Sequence, residues 1–345
     1  MRAQSLAFLK KLLSTPSPSG HEEKIQEVCK AFAKPYVDKI YKDVHGNQFH
    51  VVNPKGKLRV MLAGHVDEIA LMVHHIDDKG FLGFQAIGGV DPSVLDGQRV
   101  HIHADKGCIS GVIGRRAIHL TDVEDRGKPM KMQDLWIDIG AKNKKEVHKH
   151  VGIGDTATID ANYIELLNGR VVARALDDRI GAFICLEAVR LLHDRKTNCA
   201  VYCVTTVQEE IGFRGATTSS YGCEPHVGIA VDVGHATDHP NCDNKRYGAF
   251  KLDDGPIITR GPNINPIVWR GLIDVAKKKK IPYQVEGAPR GTGTDANAMQ
   301  LSRGGVATGL IHVPNRYMHS PVEMVSLKDA EHCAQLLAEW VCTLR

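Results

Sequence analysis

The sequence predicts an α/β protein: a mixed sheet with helices on both faces, interrupted by a small β barrel or sandwich. Three observations carry this expectation. Apolar runs of strand length alternate with helical patterns in residues 1–68 and again in 160–345. From about Ile69 to Ile159 helical periodicity disappears, and short strands alternate with Gly and Asp turns. The strand–helix pattern then resumes at Val171. The expected organisation is one α/β domain, 1–68 with 160–345, and one β-rich insert, 69–159.

The elements follow in order. MRAQSLAFLKKLLSTPSPSG reads as an amphipathic helix. It lacks the long apolar region and the A-x-A site of a signal peptide. Ser19 and Glu22 match a capping box for a helix through Ala33. Strands are expected near Ile40 to Tyr41, Gln48 to Val52 and Leu58 to Leu62. Within the insert, LMVHHI, GFLGFQAIGG, GQRVHIH, GCISGVIG, DLWIDIG and GDTATID supply the short strands. Val171 to Ala173 predict a strand, and Ile180, Ile184, Ala188 and Leu191 mark one face of the helix after it. Asn265 and Pro266 open a later helix as cap and first-turn residue. The run Lys277 to Lys280 sits at its C-terminal end, where cations favour the helix dipole. Ser326 with Asp329 starts the last helix, expected to end near Trp340. There are no internal repeats.

Composition excludes several classes. Of 345 residues, 43% are apolar and 24% charged, which supports a sizeable core in a soluble chain. The net charge of +4 is small for this length and the basic residues are scattered, so no nucleic-acid surface is expected. The longest apolar stretches are strand-length, so no membrane span is expected. Nine cysteines include no C-x-x-C pair, and Cys185, Cys199, Cys203, Cys333 and Cys342 fall in apolar segments as small core residues. That usage points to a reducing, cytoplasmic setting.

The chemistry concentrates at strand ends. VYCVTTVQEEIG places Glu209 and Glu210 side by side where an apolar strand stops. Adjacent carboxylates repel and resist desolvation unless a cation lies beside them. With a metal present, one can bind it while the other acts as general base toward an activated water. Alone, such a pair reads as a solvated loop. Here other strand ends add to it. In LRVMLAGHVDE, His65 and Asp67 are two apart on extended backbone and point the same way, so Asp67 can hold the imidazole. In VVARALDDRIGAF, Asp178 can cap the helix, which leaves Asp177 available as a ligand. Asp232 interrupts the apolar strand HVGIAVDVG. His319 precedes a Ser-Pro turn in RYMHSPVE. His65, Asp177, Glu210, Asp232 and His319 form a mixed N/O donor set suited to two divalent cations, zinc, cobalt or manganese, with one carboxylate bridging. PRGTGTDANAMQ lacks the Lys of a phosphate loop and reads as a flexible rim, with Asp295 structural or supporting the site.

The motifs GHVDEIALMV, ALDDRIGAF, TTVQEEIGFRGA, AVDVGHATD, RGPNINP, GTGTDA and RYMHSPVE together resemble the tetrahedral aminopeptidases, dinuclear metallopeptidases that include deblocking and glutamyl aminopeptidases. The resemblance runs from about Phe8 to Trp340, with the motifs in order. It implies a zinc-peptidase-like catalytic domain. It places His65 and Asp232 on one metal, Glu210 and His319 on the other, and Asp177 between them. Glu209 is then the general base and Asp67 the partner of His65. The implied substrates are peptides with a free N-terminus. The implied assembly is a homododecamer built from dimers, a hollow tetrahedron whose subunit contacts involve the insert. No ligand position departs from the pattern; Val66 does, where a longer side chain is expected. Two other classes stay open: a different dinuclear metal hydrolase such as a deacylase, or a glycosidase on the same fold, and a non-enzymatic shell. A glycosidase needs two opposed carboxylates and no metal, so the histidines weigh against it. Loss of a ligand or of Glu209 would favour the shell, and none is lost.

Overall fold

The computed structural model describes residues 1–344. Its helices in chain order are α1 (Ala3–Ser14), α2 (Glu23–Ala33), α3 (Lys144–Val147), α4 (Leu176–Leu192), α5 (Arg214–Cys223), α6 (Asn244–Tyr247), α7 (Pro266–Lys279), α8 (Asp295–Met299) and α9 (Leu327–Val341). The strands are β1 (Lys39–Lys42), β2 (Gln48–Val52), β3 (Arg59–His65), β4 (Ala70–Ile76), β5 (Leu82–Ile87), β6 (Arg99–Ala104), β7 (Gly107–Arg115), β8 (Leu135–Asp138), β9 (Thr156–Ile159), β10 (Ile164–Glu165), β11 (Arg170–Ala173), β12 (Ala200–Thr206), β13 (Val227–His235), β14 (Ile257–Arg260), β15 (Gln284–Gly287), β16 (Ala307–Asn315) and β17 (Glu323–Ser326).

The chain divides into two compact units. The first comprises Met1–Asp67, Asn162–Met318 and the chain from Val322 onward; the second comprises Glu68–Ala161 with His319–Pro321.

The first unit is the α/β body with the mixed sheet that the sequence predicts. Its eight strands run in the order β1-β2-β12-β3-β13-β16-β14-β15. The central four, β12, β3, β13 and β16, are mutually parallel, while β2 and β14 pair antiparallel on either side of them. These strands are apolar on both faces, as a covered sheet requires. Val60 and Leu62 of β3 join one core with α1, α2, α4, α7 and α9; Met61 and Ala63 join a second with residues of α5 and α8. Helix α4 is buried along almost its whole length, because sheet lies on one side and α1 and α9 pack on others. The one-face pattern read from the sequence was therefore too narrow. Leu191 is half-buried and Leu192 is the residue that closes the core.

The second unit is a closed barrel, in the order β4-β5-β8-β7-β6-β9. Leu71, Val73, Leu82, Phe84, Val100 and Ile137 fill its interior from alternating positions.

Local signals fared unevenly. Asn265 caps α7 as predicted, its Oδ1 accepting from the N–H of Ile267 at 2.9 Å. Ser326 caps α9 through the N–H of Lys328. The capping box at Ser19 and Glu22 does not form. Helix α2 starts at Glu23 with no side-chain cap, because both side chains bond elsewhere.

Candidate metal centre

The parallel strands β12, β3 and β13 are neighbours, so their C-terminal ends come together in the first unit. Ligand sites of parallel sheets sit at that edge. His65 is the last residue of β3, Glu209 and Glu210 follow β12, and Asp232 lies near the end of β13. Helix α4 brings Asp177 and Asp178 to the same place. It does so by an approach that only glycine permits: a Cβ on Gly64 would stand 2.5 Å from the backbone N of Ala182. The peptide between Asp177 and Asp178 is cis.

His65 is 2% exposed and central. Its Nε2 lies 3.2 Å from Asp177 Oδ1 and 3.7 Å from Glu209 Oε2. Its Nδ1 lies 3.2 Å from the Asp67 carbonyl and 3.4 Å from Asp67 Oδ1. Among the described residues, two sets have ligand atoms within 4.8 Å of one another: His65, Asp177 and Glu210, and His65, Asp178 and Asp232.

The surrounding hydrogen bonds tie several of these carboxylates to the framework. Asp178 takes the N–H of His65 on Oδ2 at 3.2 Å and the N–H of Gly181 on Oδ1 at 3.0 Å, so both oxygens serve the framework. Asp67 accepts from the N–H of Glu209 on Oδ1 at 3.0 Å, and on Oδ2 from the N–H of Glu210 at 3.2 Å and the Ser19 hydroxyl at 2.6 Å. The N–H of Asp177 donates to Glu323 Oε2 at 2.9 Å. Asp295 Oδ2 accepts from the Thr206 hydroxyl at 2.6 Å.

The electrostatics are those of crowded, buried negative charge. Burial, then the charges of Asp232, Asp295 and Glu210, push the Glu209 acid up to about 11 against the pull of His65. Burial and Asp177 push Asp232 up to about 7. Burial and Asp232 hold Asp178 well above the usual carboxylate range. Burial alone would lower His65, but Glu209, Asp177 and Asp67 outweigh it and raise it well above its ordinary value. Asp67 moves the other way: His65, Ser19 and the Glu209 N–H overcome the burial penalty and lower it. The imidazoles of His65 and His312 leave Glu209, Asp178 and Asp232 still raised. Divalent cations offset buried negative charge, and a mixed N/O donor set suits them.

Of the residues that the sequence nominates, His65, Asp67, Asp177, Glu209, Glu210 and Asp232 gather here. His319 lies in the second unit, where its Nδ1 is 2.8 Å from the Gly89 carbonyl; neither metal-spaced set contains it. Sequence reasoning missed the extent of the role of Asp178, which is more than a cap. It gave Glu22 only a local capping role and did not nominate Glu323; the N–H groups of Gln208 and Asp177 that they accept lie far away along the chain.

Residues 46–336 match the family model described as M42 glutamyl aminopeptidase. The chain belongs to that family. M42 peptidases are metallopeptidases, and the buried cluster has the spacing of a metal site. Among the family's members, a lysyl aminopeptidase of Pyrococcus furiosus is 39% identical over 333 residues, 95% of this chain and 94% of its own. A TET aminopeptidase from a marine sediment Thaumarchaeota archaeon superposes with a TM-score of 0.95 at 33% identity, covering 99% of this chain and 96% of that one. The TET1 peptidase of Pyrococcus horikoshii, described as assembling into a tetrahedron or a large octahedral shell, has a TM-score of 0.88 at 32% identity, covering 99% and 100%.

Proposed function

We propose that this chain is a metal-dependent aminopeptidase that removes N-terminal residues from peptides, using two divalent cations, zinc or cobalt by preference, with manganese an alternative. The observation that carries the proposal is the buried cluster in which His65 is shared by two carboxylate sets of metal-ligand spacing. Asp177 is the proposed bridge rather than Asp178, since both oxygens of Asp178 already accept backbone N–H groups. His65 and Asp232 are the proposed ligands of one cation and Glu210 of the other. For His319, on the second cation, the support is the resemblance of RYMHSPVE.

Bound cations supply Lewis-acid activation of water and of the scissile carbonyl. Glu209 accepts the proton of the attacking water on its carboxylate and returns it to the leaving amine. Cationic charge nearby favours the ionised form that this role needs. Asp67 fixes the His65 ring from behind and holds the Glu209–Glu210 backbone. A cavity of about 500 Å³, lined by His235, Phe250, Ile257, Glu286, Arg290 and His312, starts at Gly234, two residues past Asp232 on β13, and is the proposed seat of the substrate's first side chain.

Residues 1–68 with 160–345 are the proposed catalytic domain, and 69–159 the proposed module for homo-oligomerisation toward a dodecamer, a reading supported by a dodecameric TET1 structure 31% identical to this chain. All nine cysteines are free, consistent with a cytoplasmic enzyme. No helix of the described residues is long and apolar enough to cross a membrane. A panel of aminoacyl-nitroanilides tests the activity: hydrolysis of free but not N-acetylated substrates is expected, and cleavage of internal bonds alone would overturn it.

A further inference from the structure

Glu22 is 5% exposed and stands at the entrance to α2, yet it does not cap that helix. Its Oε1 accepts from the N–H of Gly20 at 2.7 Å and, across 186 positions of sequence, from the N–H of Gln208 at 3.1 Å. Gln208 has φ +54, a left-handed conformation that costs a non-glycine residue free energy unless its surroundings hold it. The next two N–H groups, of Glu209 and Glu210, both land on Asp67. Ser19, three residues before Glu22, donates its hydroxyl to that same Asp67 carboxylate. Three consecutive N–H groups are therefore gripped by two buried carboxylates, and the Ser19–Glu22 segment supports both.

We infer that Glu22 is a positioning residue: it sets the backbone of Gln208 and thereby the direction in which the Glu209 and Glu210 carboxylates point. Its hydrogen bonds go to the backbone N–H groups of Gly20 and Gln208, and it belongs to neither metal-spaced set. The inference rests on the aminopeptidase reading for its kinetic arm only. Burial, then the charge of Asp67, push the Glu22 acid up to about 7. A neutral side chain with an acceptor oxygen in the same place should serve as well.

The test compares Glu22→Leu, Glu22→Gln and Glu22→Asp in the full chain with Ser5→Ala. Ser5 is buried and bonds Glu187 further along α4, so this variant reports a loss of stability remote from the turn. Steady-state kinetics, metal content, Tm and amide exchange of the 207–211 segment are measured for each. Glu22→Leu is expected to lower kcat by about 10- to 100-fold, as small misplacements of reacting groups do. KM should stay within about twofold and metal content should be unchanged, while the amides of 208–210 exchange faster. Glu22→Gln should restore most of kcat and of the protection. Unchanged kcat in Glu22→Leu, or a loss matched by Ser5→Ala at equal Tm decrease, would overturn the inference, as would unaltered exchange at 208–210. If Glu22→Leu is insoluble, Glu22→Asp decides: one methylene shorter, it cannot reach both N–H groups, and parental kcat and exchange in it would overturn the inference. If the parent itself cleaves no N-terminal residue, the aminopeptidase reading fails while the exchange arm still decides the clamp.

Discussion

Asp67 Oδ1 accepts the backbone N–H of Glu209 at 3.0 Å, while the same carboxylate lies 3.4 Å from the His65 ring. One buried side chain thus couples the end of β3 to the turn after β12. Asp67→Asn keeps the size but leaves one acceptor oxygen for three donors. Its amide would face an N–H, an unsatisfied contact that burial makes costly. The expected outcome is a fall in kcat of about 10- to 100-fold with metal still bound, measured by initial rates alongside elemental analysis. Parental kcat in this variant would show that the coupling is dispensable.

Glu209→Gln removes a base without removing a proposed ligand. General-base catalysis contributes about 10²- to 10⁴-fold, so turnover should drop by that order while metal content holds. A near-parental rate would assign the base elsewhere.

Asp177→Ala should reduce metal occupancy more than a change at any other proposed ligand, since this carboxylate separates two mutually repelling cations. Metal retained per chain after dialysis against limiting zinc is the measurement. Full parental occupancy would exclude Asp177 as the bridge.

A pH effect is expected away from the centre. His50 on β2 is wholly buried, and neither ring nitrogen meets a hydrogen-bonding protein group. Burial lowers its pKa from 6.5 to about 3. Below pH 6.5 the unfolded chain takes up a proton that the folded chain refuses. The stability held by a neutral His50 is therefore complete above that pH and drains away as pH falls toward about 3. In metal-free protein, His50→Leu should flatten this loss. The parent–variant difference in unfolding free energy should change by about 2–3 kcal/mol between pH 6.5 and 4.5, at roughly 1.4 kcal/mol per pH unit. A constant difference across that range would show that His50 titrates normally.

Much of this was legible in the sequence, for physical reasons that differ between elements. The Asn265–Pro266 start of α7 is read correctly because cap and partner lie within three residues. The sheet is legible because β3, β12 and β13 are apolar on both faces, which only a covered sheet explains. His65, Glu209 and Asp232 stand out as polar residues at the ends of those runs. Ser19 and Glu22 fit the spacing of a capping box, yet their side chains choose Asp67 and the Gln208 N–H, partners that only the folded chain brings near. Asp178 looks like a local cap for the same reason, since its bond to the His65 N–H spans 113 positions. Spacing along the chain reports local bonds; long-range acceptors must be seen in the fold.

The central claim is that this chain cleaves N-terminal residues with two cations held by the His65 cluster. Its most direct test is titration of metal into chelated protein, with hydrolysis of a free and an N-acetylated aminoacyl-nitroanilide followed at each step. The account predicts no activity in stripped protein and recovery that completes at about two equivalents per chain. It also predicts that recovery is confined to the free substrate and is absent in His65→Ala. Full activity in stripped protein, or equal cleavage of the acetylated substrate, would contradict it.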